Sequence, residues 1–145
     1  MSIDTSGEWW KGTEATDIES YLVDFTAQQY PVDVVRVASC SCGGQLFRVE
    51  ADDEHGAAKR TCTSCGKDHF VCDSADYWKE AEPDECACPC GGEVMNLAVG
   101  FALYPDNGEV KWLYLGLRCA ACGVLGCYAD WKIAYEPSRQ LLDLV

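Results

Sequence analysis

The sequence predicts a mainly β protein with one N-terminal α-helix and two small three-stranded lobes packed against each other. A single early stretch, at 16–31, has the apolar spacing of an amphipathic helix. Several later stretches alternate apolar and polar residues, which is typical of strands. A cysteine pattern also occurs twice, because SCSCGGQLF at 39–47 returns 48 residues later as ACPCGGEVM at 87–95.

The helix is predicted within TDIESYLVDFTAQQYP at 16–31. Thr16 and Glu19 have the spacing of a capping box, and Pro31 would end the helix. One face carries the apolar residues Ile18, Tyr21, Leu22 and Phe25, which we expect to pack on the sheet rather than in a partner's groove. VDVVRVA at 32–38 follows as a strand.

Two adjacent tryptophans, Trp9 and Trp10, precede the helix in GEWWKG. Neighbouring side chains of an extended segment point to opposite sides, so both are buried only if the segment is covered on two faces. Packing is the simpler expectation. Exposure of one ring as an anchor for a partner is the alternative.

Eleven cysteines are present, and eight of them form four close couples. Each half reads CxCGG and then CxxCG, with 19 residues between the two cysteine couples in the first half and 28 in the second. Cysteines so close together are poorly placed to bridge each other but well placed to bind one metal ion from two turns. Glycine in each knuckle permits the tight turn that points backbone amides at the sulfurs.

Strands are predicted between and after the cysteine couples. In the second half, EVMNLAVGFALY and EVKWLYLGLRC flank the turn PDNG, and VLGCYADWKIAY follows as a third strand. The first half is shorter but parallel, with QLFRVEA, a turn near DDEHG, AAKRTC and DHFVCDS. KWLYLGL is apolar on both faces, so we expect it to be covered on both.

The order of knuckle, hairpin, knuckle and third strand resembles the zinc ribbon family, or more broadly the rubredoxin-like metal folds, over about residues 38–80 and 86–135. The commonest ribbons have CxxC in both knuckles, whereas here the first is CxC. We divide the chain into a helix and strand at 1–37, a first ribbon at 38–82 and a second ribbon with a tail at 83–145. The resemblance implies two structural Zn²⁺ ions, one held by Cys40, Cys42, Cys62 and Cys65 and the other by Cys88, Cys90, Cys119 and Cys122.

Three cysteines remain. Cys72 and Cys127 are expected to pack in the cores of the lobes. Cys86 with Cys88 could replace Cys88 with Cys90 as a ligand pair, although the register with the first repeat favours Cys90. Iron is the alternative metal, because rubredoxin centres also use four thiolates.

The sequence predicts neither catalytic residues nor an organic cofactor. A metal ion closed by four thiolates has no open position for water, so it should support structure rather than chemistry. His55 and His69 show no sequence constellation for acid and base catalysis. We therefore expect a protein that is not an enzyme.

Composition and charge narrow the class of partner. The longest apolar stretch, at 97–104, is too short to cross a bilayer, and no secretory signal begins the chain, so we expect a soluble cytoplasmic protein. The net charge is −13 and reaches about −17 with two Zn²⁺ ions, because each ion with four thiolates adds two negative charges. Lys59 and Arg60 form the one adjacent basic pair, which disfavours direct binding of nucleic acid.

The interpretation is an acidic zinc-binding protein that contacts a basic protein partner, as an inhibitor, an immunity protein or an adaptor would. A nucleic-acid or transcription-associated zinc ribbon is the alternative, and a thiol redox protein is the second alternative. The negative charge could also serve solubility alone. The sequence leaves the partner and the oligomeric state open.

Overall fold

The computed structural model describes residues 3–145, which form one α-helix and an eight-stranded antiparallel sheet. Short 3-10 helices lie at Ser74–Asp76 and Arg139–Asp143. The regular elements are α1 (Asp17–Thr26), β1 (Val34–Val37), β2 (Phe47–Asp52), β3 (Ala57–Cys62), β4 (Asp68–Phe70), β5 (Asp84–Glu85), β6 (Met95–Leu103), β7 (Val110–Cys119) and β8 (Leu125–Lys132). The predicted fold class, mainly β with one N-terminal helix, is confirmed.

The sheet runs in the order β4-β3-β2-β6-β7-β8. Strands β2 to β4 belong to the first cysteine repeat and β6 to β8 to the second, so each repeat supplies three consecutive antiparallel strands. The two sets join where β2 pairs with β6. β1 pairs with β6 beside this junction, and β5 pairs with β2.

Equivalent residues of the two repeats meet at the junction. Phe47 pairs with Met95, and each lies five residues after the second cysteine of its CxC knuckle. Within its own repeat, Phe47 pairs with Cys62 and Met95 pairs with Cys119. Because equivalent residues pair in antiparallel strands, the strand pairing at this junction has local two-fold symmetry.

The main core lies on one face of the sheet and takes side chains from both repeats. Phe47 and Val49 of β2 pack in the same cluster as the alternating apolar residues of β6. In β7, Leu113, Leu115 and Leu117 face this core, whereas Tyr114 faces the helix. Both faces of β7 are therefore covered, which explains why its sequence is apolar on both.

Helix α1 packs on the opposite face of the sheet. Ile18 and Leu22 are fully buried against Ala98 and Tyr114. Small residues make room for the helix, since a Cβ atom added at Gly116 would lie 2.6 Å from Ile18 Cγ2. The outer part of the predicted stripe is only partly covered, with the rings of Tyr21 and Phe25 stacked 5.7 Å apart and Phe25 exposed.

The predicted capping box does not form. Thr16 has helical backbone angles, and its hydroxyl donates to Glu14 instead of capping the helix. The first helical residue takes over this role, because the Asp17 carboxylate accepts the backbone amides of Thr13 and Glu14 at 2.8 and 3.2 Å. A tight turn before the helix moves the free amides upstream of the position that the sequence pattern indicates.

The N-terminal segment lies along the second repeat. Lys11 pairs with Val124, and the amide of Leu125 donates to the carbonyl oxygen of Trp10. The Trp10 ring meets Tyr21 edge-on at 6.0 Å, while Trp9 is 46% exposed. The two tryptophans thus have different environments, one packed against the helix and one open to solvent.

Within residues 3–145, no helix has both the length and the apolar composition needed to cross a membrane.

Candidate metal centres

The first candidate centre, called centre 1 below, lies where the two knuckles of the first repeat face each other. Its sulfurs all lie within 4.8 Å of one another. The Sγ atoms pair across the knuckles, with Cys40 3.6 Å from Cys65 and Cys42 3.6 Å from Cys62. Cys40 and Cys62 are buried, whereas Cys42 and Cys65 are exposed.

Centre 2 has the same arrangement in the second repeat. Its four sulfurs also lie within 4.8 Å of one another. Cys88 Sγ is 3.4 Å from Cys122 Sγ, and Cys90 Sγ is 3.6 Å from Cys119 Sγ. The eight cysteines that the repeat singles out are therefore gathered into two groups of four, each able to hold one metal ion.

The sulfur positions fit a tetrahedral ion. With Zn–S bonds of about 2.3 Å, the edges of a regular sulfur tetrahedron are about 3.8 Å long. The cross-knuckle distances of 3.4 to 3.6 Å come close to this value. A disulfide would require about 2.05 Å between the two sulfurs. Four soft thiolate donors suit Zn²⁺, and a tetrahedral ion that they hold has no coordination position open to water or substrate.

The same backbone hydrogen bonds shape both first knuckles. In centre 1, the amide of Cys40 donates to the Gly44 carbonyl oxygen and that of Gly43 to the Cys40 carbonyl oxygen, both at 2.8 Å. In centre 2, the amide of Cys88 donates to the Gly92 carbonyl oxygen and that of Gly91 to the Cys88 carbonyl oxygen, again at 2.8 Å. The CxC knuckle is thus a closed turn that fixes its two sulfurs through the backbone.

The second knuckles also share one hydrogen-bond pattern. The amide of Gly66 donates to the Cys62 carbonyl oxygen at 2.9 Å, and that of Gly123 donates to the Cys119 carbonyl oxygen at 2.8 Å. Both glycines have positive φ, at 76° and 83°, which other residues adopt at a cost. Their surroundings differ: a Cβ atom at Gly66 would meet nothing within 4 Å, whereas one at Gly123 would lie 2.5 Å from the Gly12 carbonyl oxygen.

We expect Gly123→Ala to destabilise the protein more than Gly66→Ala. Both substitutions carry the cost of a positive φ, about 1–2 kcal/mol. Only the first pushes away the Gly12 carbonyl and strains the 2.8 Å bond from the Gly12 amide to the Gly123 carbonyl oxygen, which should add about 1–3 kcal/mol. Urea unfolding of the metal-loaded variants measures the difference, and equal losses would contradict the described contact with the N-terminal segment.

The backbone also tunes the thiols. The amide of Cys42 lowers the pKa of Cys40, and the amides of Cys65 and Ser64 lower the pKa of Cys62. Burial raises the pKa of Cys88 in centre 2. Amides aimed at a sulfur stabilise its thiolate form, which is the form that binds a metal ion.

Arg60 is the buried cation beside centre 1. Its guanidinium lies 4.6 Å from the centre of the Phe47 ring, and its Nη2 donates to the Val145 carbonyl oxygen at 3.1 Å. Burial lowers the Arg60 pKa, and the sulfurs of Cys40 and Cys62 oppose that shift. A positive charge in this place offsets part of the negative charge that four thiolates bring to the lobe.

The other three cysteines lie outside the two groups. Cys72 is buried, and its thiol contacts the Leu141 carbonyl oxygen at 3.5 Å. Cys127 is half-buried against the helix side of the sheet. Cys86 is buried beside β2, and this burial raises its pKa to about 12. The alternative pair of Cys86 with Cys88 is therefore not the arrangement found, since Cys90 completes the group of four.

Sequence reasoning missed the environment of His55, for which it found no partner. In the β2–β3 turn, His55 Nδ1 lies 2.6 Å from Asp52 Oδ2, and Asp52 also accepts the amides of Glu54, His55 and Glu82. An aspartate followed by turn residues signals such bonds to amides two and three positions on. The bond to Glu82 joins distant parts of the chain and has no local signal. His69 Nε2 lies 2.9 Å from the Leu144 carbonyl oxygen.

The pair predicts a specific pH dependence. Hydrogen bonding to Asp52 raises the His55 pKa above 6.5. The contribution of protonated His55 to folding stability is therefore complete below pH 6.5 and is lost as the pH rises through the folded-state pKa. Hydrogen bonds to Asp52, the largest contribution being that of the Glu82 amide, lower the pKa of its carboxyl group to about 2. The contribution of the ionised Asp52 to folding stability is therefore present above pH 3.8 and is lost as the pH falls towards 2. An NMR titration of the wild-type protein should give the His55 imidazole a midpoint above pH 6.5. In Asp52→Asn the midpoint should move down towards pH 6.5, and in the remote control Asp106→Asn it should stay at the wild-type value.

Comparison of the chain with protein-family models, with curated proteins and with solved structures gives no match in any of the three.

Proposed function

We propose that this chain is a zinc protein whose two ions are structural, that it is not an enzyme, and that it acts by binding a protein partner with a basic surface. The observation that carries the metal assignment is the pair of four-cysteine groups, each of which can hold one ion. Zinc is proposed over iron because four-thiolate sites of this kind are common structural zinc sites in proteins that transfer no electrons.

The donor set supports a structural role. Four sulfurs fill the coordination shell of a tetrahedral ion, so neither water nor substrate has a place on the metal. In each centre the sulfurs face across the two knuckles rather than pairing within one couple. This arrangement favours metal binding over a reactive dithiol, and a reducing compartment such as the cytoplasm would keep the thiolates available.

The charge supports a basic partner. The chain carries 24 acidic residues against 11 basic ones, and this excess of carboxylates disfavours binding to a phosphate backbone. Several of its cations also contact other groups of the fold. Examples are Arg48 with Glu85 and Glu93, Lys59 with Glu50, Arg118 with the Gly12 carbonyl and Asn96, and Lys111 over the Tyr30 ring.

An acidic protein of this size suits a role in which it covers a basic surface. Electrostatic attraction would speed the encounter, and the sheet with its two metal centres would supply a rigid frame. Inhibitors, immunity proteins and adaptor subunits work in this way, and the proposal includes all three.

The test begins with crosslinking of the metal-loaded protein in cells that produce it, followed by identification of the partner by mass spectrometry. With the purified partner, we expect an association rate that falls steeply as salt is added, because the attraction is electrostatic. A partner that contacts the chain through an acidic surface would refute the proposal. So would salt-dependent binding of the chain itself to duplex DNA in a mobility-shift assay.

A further inference from the structure

Two neighbouring depressions lie on the surface beside centre 2. The first, which we call the acidic cleft, has a volume of about 720 Å³ and lies between the β2–β3 turn and the segment 82–87. Its lining is dominated by carboxylates, of which Glu82 and Asp84 are exposed and form no side-chain ion pair with a described residue. The remaining carboxylates of the cleft are Asp52, Asp53, Glu54 and Glu85.

The second depression, the aromatic groove, has a volume of about 450 Å³ and lies between the N-terminal segment and the first knuckle of centre 2. Aromatic rings are prominent among its lining side chains, and one of them is the exposed ring of Trp9. The other side chains that define it are Tyr21, Pro89, Val124 and Tyr128.

The cleft and the groove adjoin each other. Ala87 and Tyr128 line both of them. The Tyr128 hydroxyl donates to the Ala87 carbonyl oxygen at 3.4 Å, which holds the shared wall in place. Because the two depressions share these residues, one extended segment of a partner could contact both.

Both depressions are built by contacts within the chain. The bond from the Leu125 amide to the Trp10 carbonyl oxygen, at 2.8 Å, positions the segment that carries Trp9. On the other side, the Glu82 amide donates to Asp52 at 2.8 Å and fixes the outer wall of the cleft. A surface that is already formed loses little conformational entropy when a partner binds.

Two basic side chains, Arg48 and His55, lie beside the cleft, and each is already paired with a carboxylate. Arg48 Nη1 lies 3.1 Å from Glu85 and also reaches Glu93, while His55 is engaged with Asp52. Glu82 and Asp84 remain available to cationic side chains. The electrostatic potential of the acidic cleft is therefore negative, and the aromatic side chains of the groove lie next to it.

We propose that the acidic cleft and the aromatic groove form one docking surface for an extended, basic segment of a protein partner. One apolar or arginine side chain of the segment packs against Trp9, Tyr21 and Tyr128, and the neighbouring lysine or arginine side chains lie over Glu82 and Asp84. Aromatic rings bind both apolar groups and guanidinium groups, and buried aromatic residues often dominate binding energy at interfaces. This inference rests on the proposed function, because it takes the partner to be basic.

Fluorescence anisotropy with the full-length, metal-loaded chain tests the surface. The probe is a labelled synthetic peptide of arginine and glycine around one central tryptophan. Glu82→Lys combined with Asp84→Lys should weaken its binding about tenfold or more, and Trp9→Ala should do the same. Matched controls are Asp106→Lys with Asp143→Lys, which makes the same charge change at exposed sites elsewhere, and Tyr77→Ala, which removes a ring that is 42% exposed. Each control should change the affinity less than about twofold.

Each other outcome overturns the docking surface in a distinct way. If the paired controls weaken binding as much as Glu82→Lys with Asp84→Lys, the peptide responds to overall charge, and the proposed function stands without this surface. If Trp9→Ala alone weakens binding, the groove takes a neutral apolar segment and the basic occupant is wrong. If the wild-type chain does not bind the peptide, the docking surface is rejected, while the crosslinked partner and its salt dependence decide the proposed function separately.

Discussion

Cys119→Ser is expected to release the metal ion of centre 2 and to unfold the protein at room temperature. Cys119 is fully buried and pairs with Met95 at the end of β7, so the lost ligand lies inside the core rather than at its edge. Structural zinc binds with about 10–16 kcal/mol, whereas a typical domain has only about 5–15 kcal/mol of net stability. The loss of one ion therefore removes a free energy comparable to the whole net stability of a typical domain.

Native mass spectrometry with far-UV circular dichroism measures both effects in the same preparation. The wild-type protein should carry two zinc ions, and Cys86→Ser should keep both, because Cys86 lies outside the two groups of four. Loss of an ion in Cys86→Ser together with full loading in Cys90→Ser would assign the ligand pair to Cys86 and Cys88, contrary to the structure.

Phe47→Ala is expected to destabilise the protein by about 3–5 kcal/mol, as large-to-small changes of buried aromatic residues do. Phe47 is 0% exposed, pairs with Met95 at the junction of the two repeats, and carries the guanidinium of Arg60 on its ring. Its removal leaves a cavity between the repeats and withdraws the contact that holds a buried cation.

Leu46→Ala is the matched control, because Leu46 is the neighbouring residue and is 39% exposed. Only its main-chain carbonyl accepts hydrogen bonds from Thr63, and these survive the substitution. We expect a loss of less than about 0.5 kcal/mol. Urea unfolding of the metal-loaded variants gives both values. Similar losses at Phe47 and Leu46 would mean that the junction contributes nothing special to stability.

The local elements could be predicted from the sequence because their signals are local. The 3.6-residue spacing at Ile18 and Leu22 predicts α1, and alternation in β6 predicts the buried face that includes Leu97 and Val99. Paired cysteines with glycine predict the knuckles, since the turn and its ligands lie within five residues. The fold class and the grouping of the cysteines therefore follow from the pattern.

The long-range contacts could not be predicted in this way. The junction of β2 with β6 and the two-residue strand β5 depend on which strand edges meet, and no periodicity within one strand encodes that choice. The Asp52–Glu82 bond spans 30 residues, and the packing of Gly12 against Gly123 joins opposite ends of the chain. The acidic cleft and the aromatic groove arise from these contacts, so both were invisible in the sequence.

The pairing of Phe47 with Met95 also bears on how such a chain could have arisen. A single repeat that paired with an identical copy along this strand edge, about a two-fold axis, would place the same residue opposite itself. Duplication and fusion of its gene would keep that contact and free the two halves to diverge. The two halves differ in this structure: the first repeat places Arg60 beside its sulfurs, and the second receives the N-terminal segment at Gly123. The arrangement is the one that two paired copies of a single repeat would have if they were joined in one polypeptide. In this chain each repeat contacts a different group, Arg60 in the first and the N-terminal segment in the second.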